Sequence, residues 1–451
     1  MNMKYKAYLC SFLLTFPILG KASVEADSLR QIQISRLQEQ VNWVNPEAIR
    51  AYLDDTKSSL GDKATGLYQK LEELETLLPR VNRHLSEDTT RQTIAEAEKL
   101  LALKREIILA NPLLDVDKIL IARYRLGNKA RKAMGPSLGT SVANYNSLFS
   151  SRRKGYDAEI SQLSNLRGDI QSKTIYKPEA DVPISDIQLH WDANRLLFSS
   201  LNENRQWQIY EINTDGTGLH QKVVVDEPDL EFCDANYLPD GKVVATCNIG
   251  YNGVPCVHGD DVVANLVSYD PETKNIHRLT FDQDGNWAPI VIPNGRLMYT
   301  RWEYTDLTHY FSRIVMHMNP DGTENKALYG SGSYFPNSTF DMKPLSKYNS
   351  RFVGIISGHH GTARSGRLII FDPAKSRKEE KGMVQELPFS KRPIVPIIKD
   401  ELVEGVWPQF MKPYPLNEKY FLVACKPGPD ALWGIYLVDI FDNLTLITEQ
   451  E

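Results

Sequence analysis

One short pattern recurs six times along this 451-residue chain and constrains its fold more than any other feature. A basic residue opens a run of strand formers at Lys118-Ile-Leu-Ile-Ala, Arg195-Leu-Leu-Phe-Ser, Lys242-Val-Val-Ala-Thr, Arg296-Leu-Met-Tyr-Thr, Arg351-Phe-Val-Gly-Ile and Lys419-Tyr-Phe-Leu-Val. Several copies follow a tight-turn sequence, such as Pro239-Asp240-Gly241 or Pro293-Asn294-Gly295. After each of the last five comes an apolar strand ending in Asn or Asp, at Asn213, Asp270, Asn319, Asp372 and Asp439, with a weaker counterpart at Ala158 to Leu163. Turn residues such as Asp215-Gly216-Thr217-Gly218 come next. Strand, tight turn, strand, loop, strand, tight turn, strand is the plan of one propeller blade. A β-sandwich is the rival, but sandwiches do not repeat their sequence in this way. The pattern therefore predicts a mainly β fold, a six-bladed β-propeller over residues 113–451. The 21 Tyr and 7 Trp suit such a pleated, half-buried body.

Upstream the periodicity is helical. Leu29, Ile32, Leu37, Val41 and Val44 lie close to helical spacing, as do Leu67, Leu71, Leu74 and Leu78, a stripe that Pro79 is expected to end. A third helix is predicted from Thr89 to Leu109, stopped by Asn111-Pro112. Residues 23–112 thus read as a small helical region packed against the rest. Before it, Lys4 and Lys6 precede an uncharged run from Ala7 to Leu19, and Gly20-Lys21-Ala22 offers small residues for cleavage. This predicts a signal peptide over residues 1–22 and a secreted or periplasmic bacterial protein. The run is too short to span a bilayer comfortably, and no other segment is long and apolar enough, so the chain is not expected to span a membrane. In an exported chain the even set Cys233, Cys247, Cys256 and Cys425 permits disulfides. Cys247–Cys256, flanking a Gly- and Pro-containing loop, is the favoured pair, and Cys233–Cys247 is the rival.

Blade geometry sorts the loops onto two faces. The short turns gather on one and the long loops on the other, and long loops on a rigid scaffold are where function concentrates. The long loops carry a basic run between Arg123 and Tyr156, His258 with Asp260 and Asp261, Arg301-Trp302-Glu303 with Asp306 and His309, and the pair His359-His360 with Arg364. The candidate ligand-binding residues are therefore Arg301, Trp302, Glu303, Asp306, His309, His258, His359 and His360. A bound metal ion would use His359, His360 and Asp306, although no ligand-spacing rule is met and neighbours on one strand point to opposite faces. The basic run is a solvated loop or a receiver of an anionic ligand. A formal net charge of −5 argues against nucleic acid as a partner. Asp282-x-Asp284-x-Asn286 opens like a calcium loop, but Trp287 stands at the obligatory glycine position. There is no Cys-x-x-Cys-His for covalent haem, and no zinc-protease, Walker or nucleophile-elbow motif.

As a set, Tyr299-Thr-Arg-Trp-Glu-Tyr-Thr-Asp306, Gly358-His-His-Gly361, Leu238-Pro-Asp-Gly241 and Leu432-Trp-Gly-Ile-Tyr-Leu-Val-Asp439 resemble bacterial secreted proteins related to the hydrazine synthase alpha subunit middle domain. The resemblance covers residues 110–448. It implies a TolB-like six-bladed propeller, exported, often within larger proteins with further C-terminal parts. The nitrogen–nitrogen chemistry of hydrazine synthase uses c-type haems, whose attachment motif is missing, so the resemblance implies no such activity here. The expected function is a binding or scaffold protein that takes a protein, saccharide or small-molecule ligand at its long-loop face, with no cofactor of its own. The alternatives are a metal-dependent enzyme at that face, or a propeller subunit of a periplasmic redox complex.

Overall fold

A computed structural model describes residues 19–87, 90–126, 142, 144, 147–255, 258–303, 312–345 and 350–449. Four helices come first: α1 (Leu19–Val41), α2 (Pro46–Leu60), α3 (Lys63–Glu87) and α4 (Arg91–Ile108). α2 has no counterpart in the apolar stripes read above. Its start is nevertheless written locally, because the Asn45 side chain accepts from the backbone N–H of Glu47 and Ala48, and Pro46 fills the first turn, where no N–H is needed. Contrary to expectation, α3 runs through Pro79. Pro79 is on the exposed side of the helix, where water can take the carbonyl that loses its partner. No helix among the described residues is long and apolar enough to cross a membrane. Residues 1–18, most of the expected signal peptide, lie outside the described residues.

The rest is antiparallel sheet. Among the described residues the strands form one three-stranded sheet, three four-stranded sheets and one eight-stranded sheet. The three-stranded sheet comes first (Ile119–Leu126, Tyr156–Ser164, Gln171–Tyr176). The eight-stranded sheet is two four-stranded meanders, starting at Asn286–Val291 and Ser338–Pro344, joined by a single parallel bridge from Arg313 to Ser338. The last sheet is Gln409–Pro415, Tyr420–Lys426, Gly434–Asp439 and Leu444–Glu449. Each sheet packs on the next through its own apolar layer, as where Leu197 and Ile209 meet Phe232 and Val243. The result is a propeller-like ring in which each meander is complete in itself.

The helices bridge the first and last sheets. Leu71, Leu100 and Ile107 share one core with Leu163 and Leu166 of the first sheet and with Tyr420, Leu437 and Ile447 of the last. Two consecutive cations on α4 carry the polar part of the joint. Lys104 Nζ, fully buried, donates to the carbonyls of Trp43 and Leu444, both at 2.6 Å. Arg105 donates to the carbonyls of Leu446 and Ile447 on one side of the seam and to that of Leu166 (2.9 Å) on the other. Burial pushes the Lys104 ammonium down to about 7, the penalty of taking its charge out of water, against which the nearby Asp439 carboxylate acts only in part.

The expected disulfides do not form. Cys233, Cys247 and Cys425 are free, buried thiols, and Cys256 lies outside the described residues. Cys247 faces the apolar layer with Phe232 and Val267, while the strand register sets Cys233 opposite Thr246, on the other face of the same sheet. Neighbouring register positions point to opposite faces, which rules out the Cys233–Cys247 bridge as well. Burial raises all three thiols, Cys247 to about 12, so they act as small core hydrophobes. Replacing Arg105 by Ala should strand three carbonyls at the seam. We expect a loss of about 2–3 kcal/mol, read as a lower urea midpoint at unchanged slope; an unshifted midpoint would show that the apolar core alone closes the ring.

Candidate functional site

Innermost strands break their alternation at one repeated position. Asp186, Asp234, Ala288, Asp341 and Lys412 each sit at a bulge with φ between 51° and 54°, in the left-handed region. That conformation costs a non-glycine residue roughly 1–2 kcal/mol, and Asp tolerates it best. Four of the five are ionisable. Lys412 Nζ pairs with Asp341 at 2.8 Å and lies 3.6 Å from Asp186. Burial opposes charge on Asp341, but the Lys412 ammonium wins and holds its carboxyl below the usual range. Asp234 goes the other way: burial first, then the neighbouring Asp186 side chain, drive it well above that range, so Asp234 holds its proton near neutral pH. Lys343 donates to Gln188 (3.3 Å) and is pushed down to about 8 by burial and by Lys412. The Lys412 side chain is 56% exposed, so water reaches the axis.

On the long-loop side Asn144 and Ser147 bond to separate sheets. Asn144 donates to the Ser357 hydroxyl and the Gly358 carbonyl and accepts from the Arg364 backbone N–H. The Arg364 guanidinium lies over the rings of Trp287 (5.1 Å) and Phe340 (4.8 Å). Ser147 donates through its N–H and its hydroxyl to buried Asp261. Arg153, from the basic run, grips Glu231 with two bonds of 2.8 and 2.9 Å. That cation therefore ties the crossing segment down instead of waiting for an anion.

Beside these contacts the predicted residues converge in part. Trp302 ends one strand, Arg313 begins the next, and His359 and His360 follow the strand Phe352–Ser357. The turn at Gly358 needs glycine, since a Cβ there would meet the Asp400 carbonyl at 2.4 Å. Buried Arg313 stacks on Trp302 at 4.5 Å and donates to the Asn144 carbonyl and to His359 Nδ1. An arginine can only donate, so His359 Nδ1 is an acceptor and the ring proton belongs on Nε2. Burial and the Arg313 charge push the His359 imidazolium down to about 2, and the ring is neutral. His360 stands edge-on to His359 with ring centres 4.2 Å apart and donates through Nδ1 to Asp400 at 2.8 Å. His359, His360 and Asp400 offer ligand atoms within 4.8 Å of one another. The distances suit a cation, but the permanent charge of Arg313 and the acceptor role of His359 Nδ1 oppose one.

The other candidates are placed differently. Arg301 pairs with Asp282 at 2.9 Å and approaches Glu303 at 3.7 Å, and it neutralises the segment that opened like a calcium loop. His258 is an exposed, left-handed residue of the 248–264 loop, and among the described residues no hydrogen bond or ion pair joins it to the cluster. Asp306 and His309 lie outside the described residues. Sequence reading missed Arg313, Asp400 and the charged bulges. It also missed the run Pro393-Ile-Val-Pro-Ile-Ile398, just before Asp400, which exposes Val395 (52%), Ile397 (49%) and Ile398 (47%). Two prolines in six residues, which cannot join a central strand, were the available sign of an apolar loop.

No family model matches the chain, and no curated protein does. Solved structures do. Hydrazine synthase of Kuenenia stuttgartiensis matches with a TM-score of 0.53 at 14% identity, over 74% of this chain and 45% of that one. The fold is a β-propeller resembling that of hydrazine synthase. TolB from Acinetobacter baumannii (TM-score 0.42, 14% identity, 65% of this chain and 59% of that one) and an oligogalacturonate lyase from Vibrio parahaemolyticus (0.39, 12%, 72% and 98%) are similar at lower scores. This chain thus spans less than half of the hydrazine synthase chain, and the likeness concerns the fold.

The Asp186–Asp234 pair carries a pH dependence of known sign. Asp234 titrates higher folded than unfolded, so its contribution to stability is fully present in acid and is lost as pH rises from about 4 toward the raised value. Between about pH 5 and pH 8 the wild type should lose stability by up to about 1.4 kcal/mol per pH unit from this site. Asp234→Asn, whose side chain is neutral and tolerates the left-handed backbone, should flatten that slope. Parallel slopes in wild type and variant, measured by urea titration, would show that Asp234 does not carry this dependence.

Proposed function

We propose that the chain is an exported six-bladed propeller, with a signal peptide over residues 1–22, a helical region over 23–112 and the ring over 113–451. Its function in this reading is to bind a partner protein at the long-loop face. Each four-stranded meander counts as one blade, with the three-stranded first sheet as the sixth. One observation carries the binding role: the exposed run from Pro393 to Ile398 adjoins the exposed His360–Asp400 pair on the face where the loops are longest. Exposed apolar surface beside fixed polar groups is the composition of a protein interface, an apolar centre with a hydrogen-bonding rim.

Site-resolved photo-crosslinking in the cell of origin tests this. A photoreactive residue at Ile398 should give one discrete protein adduct, lost when Ile397 is changed to Asp. The same label at Trp191, a more exposed residue on the short-turn face, should give none. Equal labelling at both positions, or none at 398, would refute a partner at the long-loop face.

A second reading rests on the 4.8 Å cluster of His359, His360 and Asp400 as a divalent-cation site serving an enzyme at the same face. Metal analysis of the purified protein separates the two. One equivalent of zinc or manganese in the wild type, lost in His360→Ala, would favour the enzyme. Substoichiometric metal would leave the partner site.

A further inference from the structure

Five meanders open with an innermost strand: Ile184–Leu189, Phe232–Tyr237, Asn286–Val291, Ser338–Pro344 and Gln409–Pro415. The first sheet has no such strand among the described residues. Its strand Ile119–Leu126 carries the first copy of the repeat, and the other five copies all fall on second strands, each paired on both sides. Ile119–Leu126 pairs with Tyr156–Ser164 alone. Burial records the difference. The second strands Val243–Cys247 and Phe352–Ser357 are buried throughout, whereas every residue from Ile119 to Arg123 is only half-buried. Both faces of this strand are covered, since Ile119 and Ile121 pack against the core at the seam and Leu120 against the next sheet. What stays open is the edge where the innermost strand belongs, with the N–H and C=O of alternate residues directed into it. Natural sheets blunt an open edge with charge, proline or a bulge. Here the register with Tyr156–Ser164 is unbroken and holds no proline, and the Arg123 guanidinium turns away from the edge, to Glu159 and Ser172 at 3.0 Å each.

We infer that this edge accepts a strand from another polypeptide, an extended apolar peptide that adds antiparallel to Ile119–Leu126 and completes the first sheet. The open ladder specifies an extended backbone, because only a strand returns hydrogen bonds at that spacing. Ile119, Leu120 and Ile121, which lie alternately on the two faces, specify apolar side chains on both faces of the guest. The five resident innermost strands are all antiparallel to their second strands and six or seven residues long, which sets its direction and length. The edge shares no residue with the run from Pro393 to Ile398, so this contact stands or falls independently of the partner proposed there.

Five synthetic peptides, each copying one resident innermost strand, test the assignment when titrated into the purified full chain and followed by amide hydrogen exchange. At least one should bind one-to-one, slow exchange at alternate residues of Ile119–Leu126 about tenfold or more, and raise the thermal midpoint. Methylating the backbone nitrogens of that peptide at every second residue should abolish binding in one parity and leave it unchanged in the other. Ala122→Lys, which sets a charge on the half-buried edge strand, should weaken binding about tenfold or more while the peptide-free midpoint is little changed. No binding by any of the five, protection elsewhere than at this strand, equal loss from both methylation patterns, or binding indifferent to Ala122→Lys would each overturn the inference. Alternate amides already slow in the peptide-free monomer would overturn it too, by giving the edge to the chain itself. The same protection in a concentration-dependent dimer would give it to a second copy and be equally fatal.

Discussion

A ring built from self-contained sheets has a seam, and in this protein the seam is held by two neighbouring cations. Many rings could be closed by a strand that pairs into both ends, so that ladder hydrogen bonds do the work. Here the first sheet has three strands, the last has its own four, and none is shared among the described residues. The donors come instead from Lys104 and Arg105, whose bonds reach Leu444, Leu446 and Ile447 on one side and Leu166 on the other. A buried cation is tolerated only where acceptors surround it, so the requirement that both find carbonyls fixes how α4 lies across the joint. Asn443 adds a bond to the Ala48 carbonyl, and Tyr420 one to Asp55, which fix α2 to the same sheet. α1 is held separately, where the Ser35 hydroxyl donates to Asp430 and Glu39 accepts from the Asp430 N–H.

The ring itself was legible because repetition is a long-range signal that local ambiguity does not erase. Lys242 to Thr246 and Arg296 to Thr300 lead into strands that pair as the turn chemistry predicts, residue for residue with Leu266 to Tyr269 and with Val315 to Met318. The bulges were not legible in the same way. Asp186, Ala288 and Lys412 share a backbone conformation and no chemistry, and alternation is counted on side chains, so a break in it looks like noise until the backbone is seen. Helix α3 shows the opposite failure. Proline is a reliable stop only where the lost hydrogen bond is buried, and the exposed side on which Pro79 sits cannot be read from one residue.

The candidate site divides along the same line. Trp302, His359 and His360 were found because they lie in or beside repeated strands. Asp400 was not, because it comes from a connection with no periodicity, and Arg313 reads in sequence as the first residue of an ordinary strand. Yet Arg313 decides the chemistry of the cluster. Its guanidinium lies against Trp302, donates to Asn144 and sets the His359 tautomer, so one buried cation ties together the end of a strand, Asn144 and the histidine turn.

That arrangement also bears on what the face can recognise. Had His359 kept both nitrogens for a ligand, the pair with His360 and Asp400 would be a plain three-donor metal cluster. With Nδ1 accepting from Arg313, the neutral ring presents a donor at Nε2, and His360 is held by Asp400 as a second oriented imidazole. Two fixed imidazoles and a carboxylate beside an exposed Ile-Val-Pro run offer directional hydrogen bonds next to apolar area, which suits a peptide surface better than an ion. The raised acid Asp234 sits apart from this, with Asp186, Asp341 and Lys412 at the bulges of the innermost strands. The ring therefore concentrates its left-handed backbone and its raised acid on the innermost strands, while the Val395, Ile397 and Ile398 side chains stand exposed beside His360 and Asp400.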